Sequence, residues 1–192
     1  KKGAPGPVRF ELEASSRTGF HGRDNDNRVD AAVSIGSEAL YGRFAAAWQK
    51  NGSAFDANDD RVKPDITQTD LQGNRSLDLQ GELTWKPAQG HSLRLFAQDY
   101  DSAYKGSEAL YMGPNLAGAL AGRTELLAVR KGFTSDLKPS TKRRMASLDY
   151  AASDVLGGQS LLAQVYGRSE KSAFYPFPGS AAYTVGTTRR TL

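Results

Sequence analysis

Cysteine is absent from the chain, histidine and tryptophan each occur only twice, and long apolar runs are missing. Without cysteine there is neither a disulfide framework nor a thiolate metal site. No stretch approaches the roughly 18 consecutive apolar residues that a membrane-spanning helix needs. The chain opens on Lys1, Lys2, Gly3, Ala4, Pro5 and Gly6 with no apolar segment behind the charges, so no secretory leader is expected. A soluble domain is therefore expected, or an internal piece of something exported under a leader since removed. A strong excess of one charge is lacking too, with 25 Lys and Arg against 21 Asp and Glu, a net +4. The signs are interspersed. The one dense basic run, Lys142-Arg143-Arg144, reads as a solvated strand end, and no nucleic-acid partner is expected.

What the chain has is alternation. From Ser76 to Trp85, Leu77, Leu79, Gly81, Leu83 and Trp85 interleave with Ser76, Asp78, Gln80, Glu82 and Thr84, a period of two that argues for a strand with one greasy and one charged face. The same pattern sets Val8, Phe10, Leu12 and Ala14 against Arg9, Glu11 and Glu13, and Val29, Ala31, Val33 and Ile35 against Asp30 and Ser34. It recurs at Leu40–Trp48 and Leu93–Ala97, and less cleanly at Ala146–Ala152 and Leu161–Gly167. The expectation is about seven strands of roughly 9 to 12 residues, longer than the usual five or six and close to what a strand needs to cross a bilayer.

The connections alternate as well. Tight turns are expected near Gly36-Ser37-Glu38, at Lys86-Pro87-Ala88-Gln89-Gly90 and at Asp154–Gln159, where Gly and Pro supply the special backbone angles. The intervening connections are His21–Asn27, about 25 residues from Lys50 to Asn74, about 40 from Asp101 to Thr141, and a last one from about Glu170 onward. Every long connection falls at the same end of the sheet. A soluble sandwich has no reason to sort its loops in this way, whereas a transmembrane barrel has short periplasmic turns and long extracellular loops.

The faces agree with that reading. Arg9, Glu11, Glu13, Asp30, Arg43, Asp78, Gln80, Glu82, Arg94, Asp149 and Arg168 fall on the side that would line a wet lumen. The other side carries apolar or small residues, with Trp48, Trp85 and Tyr150 toward strand ends, where interfacial aromatics belong. A solvent-exposed antiparallel sheet also alternates, so a soluble all-β carbohydrate-binding or adhesin module is the alternative; it requires two sheets sharing a buried core. The expected fold class is all-β, an antiparallel up-and-down transmembrane β-barrel. Seven strands cannot close one, because single-chain bacterial barrels have even counts and no free edges. Residues 1–192 are therefore expected to form one partial barrel domain, with no strand in the polar stretch Thr187–Leu192.

Lys1-Lys2-Gly3 running into the amphipathic segment Val8–Ser16 resembles the passage from plug to first barrel strand in TonB-dependent outer-membrane receptors. The hairpin Leu77–Tyr100, with its Trp-Lys-Pro-Ala-Gln-Gly-His-Ser turn, is similar to early hairpins of the same family. The resemblance implies a fragment of a barrel of about 22 strands, plugged by an amino-terminal domain. It also implies location in the bacterial outer membrane, contact with outer-membrane lipid, and import of a ferric siderophore or other metal chelate with energy from TonB. The plug and the TonB-contacting segment have no counterpart in these residues, and neither do about two-thirds of the barrel strands.

Enzymatic constellations are hard to find, and neither catalysis nor a cofactor is expected. His21 and His91 fall at opposite ends of their strands, which disfavours a shared metal or a His-based triad. Asp56, Asn58 and Asp60 have the opening spacing of a calcium loop, but Arg61 stands where the turn glycine belongs and Thr67 where the twelfth-position glutamate belongs. Candidate ligand contacts are the loop aromatics and cations Tyr104, Tyr111, Arg123, Arg130, Phe174, Tyr175 and Phe177, since ring faces and cations suit a bulky anionic chelate. The same rings can equally pack the loops onto one another. Leu116–Arg130 has few breakers and can form a short helix or an ordinary loop core.

Overall fold

Period-two segments become strands because each pairs with the next through a short turn or a longer loop, and the structure places the pairs in a single layer. The computed structural model describes residues 6–63, 72–106, 108–111, 117–118, 121–123, 128–131, 139–155, 157–173 and 189–191. The strands are β1 (Gly6–Arg17), β2 (Asp26–Gly36), β3 (Leu40–Lys50), β4 (Asn74–Trp85), β5 (His91–Tyr104), β6 (Glu108–Tyr111), β7 (Ala128–Lys131), β8 (Ser140–Val155), β9 (Gln159–Ala173) and β10 (Arg189–Thr191). One antiparallel sheet runs in the order β1-β2-β3-β4-β5-β8-β9-β10, and β6 and β7 form a separate hairpin. The seven long strands are thus an up-and-down meander.

Three features differ from the sequence expectation. The terminal stretch does hold a strand: Arg189, Arg190 and Thr191 pair with Ala173, Ser172 and Lys171. Three residues are too few to show a period of two in the sequence. A helix cannot run to Arg130, because 128–131 pair with 108–111 as β7 and β6; among the described residues Ala121 N–H donates to the Ala117 carbonyl at 3.1 Å, one helical turn. Finally β5, β8 and β9 have 14, 16 and 15 residues and extend toward the long-loop end beyond the expected range.

Register fixes which residues share a face. Phe10 lies opposite Val33, then Phe44, Gly81, Ala97, Ala146 and Gly167 across seven strands. The adjacent row runs Glu11, Ala32, Ala45, Gln80, Gln98, Met145 and Arg168. At the β2–β3 turn, Gly36 sits at φ +146, and a Cβ there would meet the Leu40 carbonyl oxygen at 2.3 Å. Only glycine allows that turn to close.

The two faces are covered in the reverse of the usual sense. Leu77, Leu83, Leu95 and Leu148, on the apolar face of β4, β5 and β8, are 41–49% exposed. Their polar-face neighbours Glu82, Arg94, Ser147 and Asp149 are half-buried or buried. Substantial contacts between elements are all between sheet neighbours. Among the described residues only Tyr104 and Ala152 are buried hydrophobics. No second layer covers the greasy side of the described sheet.

The apolar band on that side is bounded toward the loops. On β1–β4 its last residues are Ala14, Val29, Trp48 and Leu77, which are register neighbours. On β5, β8 and β9 the band stops four residues lower, at Ala97, Ala146 and Gly167, and outward charge begins at Asp99, Arg144 and Lys171.

Candidate functional site

The polar face carries a continuous ionic ribbon. Arg94 donates from Nη2 to Glu82 Oε2 at 2.7 Å and from Nη1 to Asp149 Oδ2 at 3.3 Å, bridging β4, β5 and β8. Gln98 donates to both Asp78 oxygens at 2.9 and 3.0 Å, and Arg43 reaches Glu11 Oε2 at 3.4 Å. Toward the loops Arg143 Nε donates to Glu170 at 2.8 Å while its guanidinium lies 5.6 Å from the Tyr100 ring centre. These are long side chains leaning across strands, which is why this face is the more covered one. It is a wet, hydrogen-bonding surface of both charge signs, suited to lining a lumen or receiving another polar surface.

At the long-loop end, residues 18–25 and 51–63 pack together. His21 stacks on Phe55 with ring centres 3.6 Å apart, and the Arg23 guanidinium lies 5.2 Å from the same ring. His21 Nδ1 is buried without a hydrogen-bond partner among the described residues. Asp24 organises the turn: it accepts from the Thr18 hydroxyl at 2.7 Å, from the Gly19 N–H and from the His21 N–H at 3.4 Å. The Thr18 hydroxyl and these amides hold the Asp24 carboxyl below its usual value of 3.8. The ionised form therefore stabilises the turn above that pH, and the contribution is lost as pH falls through the lowered value.

This turn presents Phe20, 96% exposed and at φ +66. A bulky residue in the left-handed region is uncommon, and such strain collects at functional loops. Its only sequence signal is an isolated aromatic beside Gly19, and that is too weak to single it out. Asp24→Ala should raise amide exchange at Gly19 and His21 roughly tenfold while leaving β1–β2 exchange unchanged, measured by deuterium uptake. Unchanged exchange at those amides would show that Asp24 does not hold the turn.

Of the expected contacts, Tyr104, Tyr111, Arg123 and Arg130 lie among the described residues. Tyr104 is 2% exposed and lies against Gly73 and Gly106, where a Cβ would come within 3.0 Å of a ring carbon and 2.3 Å of the phenol oxygen respectively. It joins two loops and offers no surface to a ligand in this structure. Arg123 is exposed, beside the 117–121 turn. Tyr111 and Arg130 lie on β6 and β7, two pairs apart in register, but their side chains fall outside the described residues. Phe174, Tyr175 and Phe177 also lie outside them. The Asp56 carboxylate accepts from the Asn58 and Asp60 amides at 2.8 and 3.0 Å, closing a turn. His21 and His91 are at opposite ends as expected, with His91 Nδ1 2.8 Å from the Tyr150 hydroxyl.

The chain is 40% identical over 179 residues, 93% of its length, to ferric aerobactin receptors of Klebsiella pneumoniae and of Escherichia coli. It is 34% identical over 187 residues, 97% of its length, to the rhizobactin receptor of Rhizobium meliloti (strain 1021). Along most of its length the chain is thus similar to one part of these receptors. It spans 24% of the length of each of these relatives. No family model matches it, and no solved structure does. The fold class agrees with this kinship: an all-β up-and-down meander, the wall of an outer-membrane β-barrel. No helix among the described residues is long and apolar enough to cross a membrane.

Proposed function

We propose that this chain is part of the barrel wall of a bacterial outer-membrane receptor that binds and imports a ferric siderophore with energy delivered through TonB. The observation that carries the reading is the inverted sheet, whose apolar face is its exposed face. Each large aliphatic side chain left in water forgoes about 1.5–3 kcal/mol, and many of them stand on one continuous face. Lipid removes that penalty. A soluble carbohydrate-binding or adhesin module would have to bury those residues in a core, and the described residues hold only two buried hydrophobics.

In this reading residues 1–192 are one segment of a larger barrel, the ionic ribbon faces inward, and the long loops face outward. A ferric chelate would dock among loop cations and rings, for which Arg123, Tyr111, Arg130, Phe174, Tyr175 and Phe177 are the candidates, joined by Phe20 and Arg23. Tyr104 is buried against Gly73 and Gly106 at the long-loop end of the sheet. The work done by these residues is recognition, by stacking, hydrogen bonding and charge.

The test is a titration of the intact protein in detergent with ferric aerobactin, followed by intrinsic fluorescence. Saturable quenching is expected, together with about tenfold weaker binding when Arg123 and Arg130 are both changed to Ala, a loss of about 1.4 kcal/mol. Absence of saturable binding to ferric aerobactin and to other ferric siderophores would overturn the reading.

A further inference from the structure

At the long-loop end, residues 18–25 and 51–63 are fitted backbone against backbone. A Cβ at Gly52 would lie 2.6 Å from the Asp24 carbonyl carbon and 2.7 Å from the Arg23 oxygen and the Asn25 nitrogen, so no larger residue fits there without a shift. Ser53 N–H donates to the Arg23 carbonyl at 2.8 Å and Gly52 N–H to Asp26 Oδ1 at 2.7 Å. The contact continues beyond them. Gly73 N–H donates to the Gly52 carbonyl at 3.1 Å, and Lys105 N–H to the Gly73 carbonyl at 2.8 Å. Residues 23, 52–53, 73 and 105 thus join three connections in series.

The side chains that close this contact are His21 and Phe55, stacked with ring centres 3.6 Å apart and 20° between planes. His21 Nδ1 is buried there and bonds to nothing among the described residues. A neutral imidazole can leave that nitrogen as a bare acceptor, whereas an imidazolium must carry a proton on it. Protonation strengthens the attraction to the Phe55 ring, but it strands a charged N–H and sets a second cation over a ring that Arg23 already faces. The stranded donor is the larger effect. Arg61, bridged to Phe55 through the main chain, adds positive charge. The carboxylates around the stack are engaged or in solvent. Asp24 accepts from Thr18 and from the Gly19 and His21 amides, Asp26 from Gly52 and Arg17, and Asp56 from the Asn58 and Asp60 amides. Asp59, Asp60 and Lys63 are exposed.

We propose that the His21–Phe55 stack is an acid-released latch. With a neutral imidazole it clamps residues 18–25 onto 51–63; protonation opens it, lets Phe20 leave its φ of +66, and loosens the series as far as residue 105. The clamp is present at pH 7.5 and is lost as pH falls toward 5, the range in which imidazoles gain their proton. Asp24 does not imitate this, because its carboxyl, held below 3.8 by the Thr18 hydroxyl, stays ionised over that range. The latch is independent of which ligand the loops receive.

Deuterium uptake by the intact protein in detergent, corrected for the pH dependence of intrinsic exchange, reads the latch at the Gly52, Ser53 and Gly73 amides. Their protection should fall about tenfold from pH 7.5 to 5.0 and recover on return, with the paired amides inside β1–β4 unchanged. His21→Phe keeps a stacked ring that cannot gain a proton, and should hold the same protection at both pH values. Arg23→Gln removes a neighbouring cation and should keep several-fold more protection than wild type at pH 5.0, a sign opposite to that of a merely weakened loop. Equal protection of wild type at the two pH values would overturn the latch. So would a wild-type-sized fall in His21→Phe, or an equal or larger one in Arg23→Gln.

Discussion

Leu95→Arg, in the intact protein refolded into phosphatidylcholine vesicles, should cost about 2–4 kcal/mol, the penalty for a cation on the lipid face near the bilayer midplane. Leu95 lies in the middle of the apolar band on β5, flanked in register by Leu83 and Leu148, with no carboxylate on those neighbours to receive the charge. It is 49% exposed, so a solvent-facing sheet would accept the same substitution at little cost or gain solubility from it. The two readings therefore predict opposite signs. The paired control is Gln98→Lys, three residues along on the ionic face, where the new ammonium meets Asp78, already the acceptor for Gln98. That change should stay within about 0.5 kcal/mol. Denaturant titrations of vesicle-inserted protein measure both, and a neutral Leu95→Arg would refute the outward orientation of the apolar face.

The second large effect is expected at Arg94. Its guanidinium sits between Glu82 and Asp149, whose side chains are only 13% and 16% exposed. Arg94→Met preserves much of the volume but leaves two poorly hydrated carboxylates facing the same gap. Hydrogen bonds to charged groups contribute about 1.5–3 kcal/mol, and stranding one partner is worse than losing both. A loss of about 2 kcal/mol is expected, read as a shift in the denaturation midpoint with an unchanged slope. Adding Glu82→Gln should recover about half of that loss, because one stranded charge becomes a neutral amide. No recovery would mean that Arg94 acts through packing and not through charge.

How much of this was readable beforehand depended on whether two faces of a strand meet different surroundings. Ser76–Trp85 alternates sharply because one side meets apolar surroundings and the other polar ones, and the observed register keeps that alternation on all seven long strands. Beyond the band polar residues fall on both sides, so the period fades: Asp99 to Tyr104 and Ser140 to Met145 are strand, yet neither stretch alternates apolar with polar. Non-local packing left no trace either. Tyr104 reads as a loop ring open to a ligand, and only the fold brings Gly73 and Gly106 against it. Phe20 carries no signal because its exposure follows from a backbone angle set by Asp24, four residues on. The ligand contacts were the least legible for the same reason: loop aromatics obey no period, and their partners come from distant segments.

The stepped edge of the apolar band also carries a metric. Between β1 and β9 it falls by about four residues, roughly 13 Å, while the sheet advances six strand spacings, roughly 29 Å. A plane that keeps constant depth must then cut the hydrogen-bonding direction at about 25°, in the neighbourhood of the 35–45° inclination of outer-membrane strands. Residues that face each other across the ladder are consequently not at equal depth, and Leu77 on β4 is level with positions lower on β9 than its own register row.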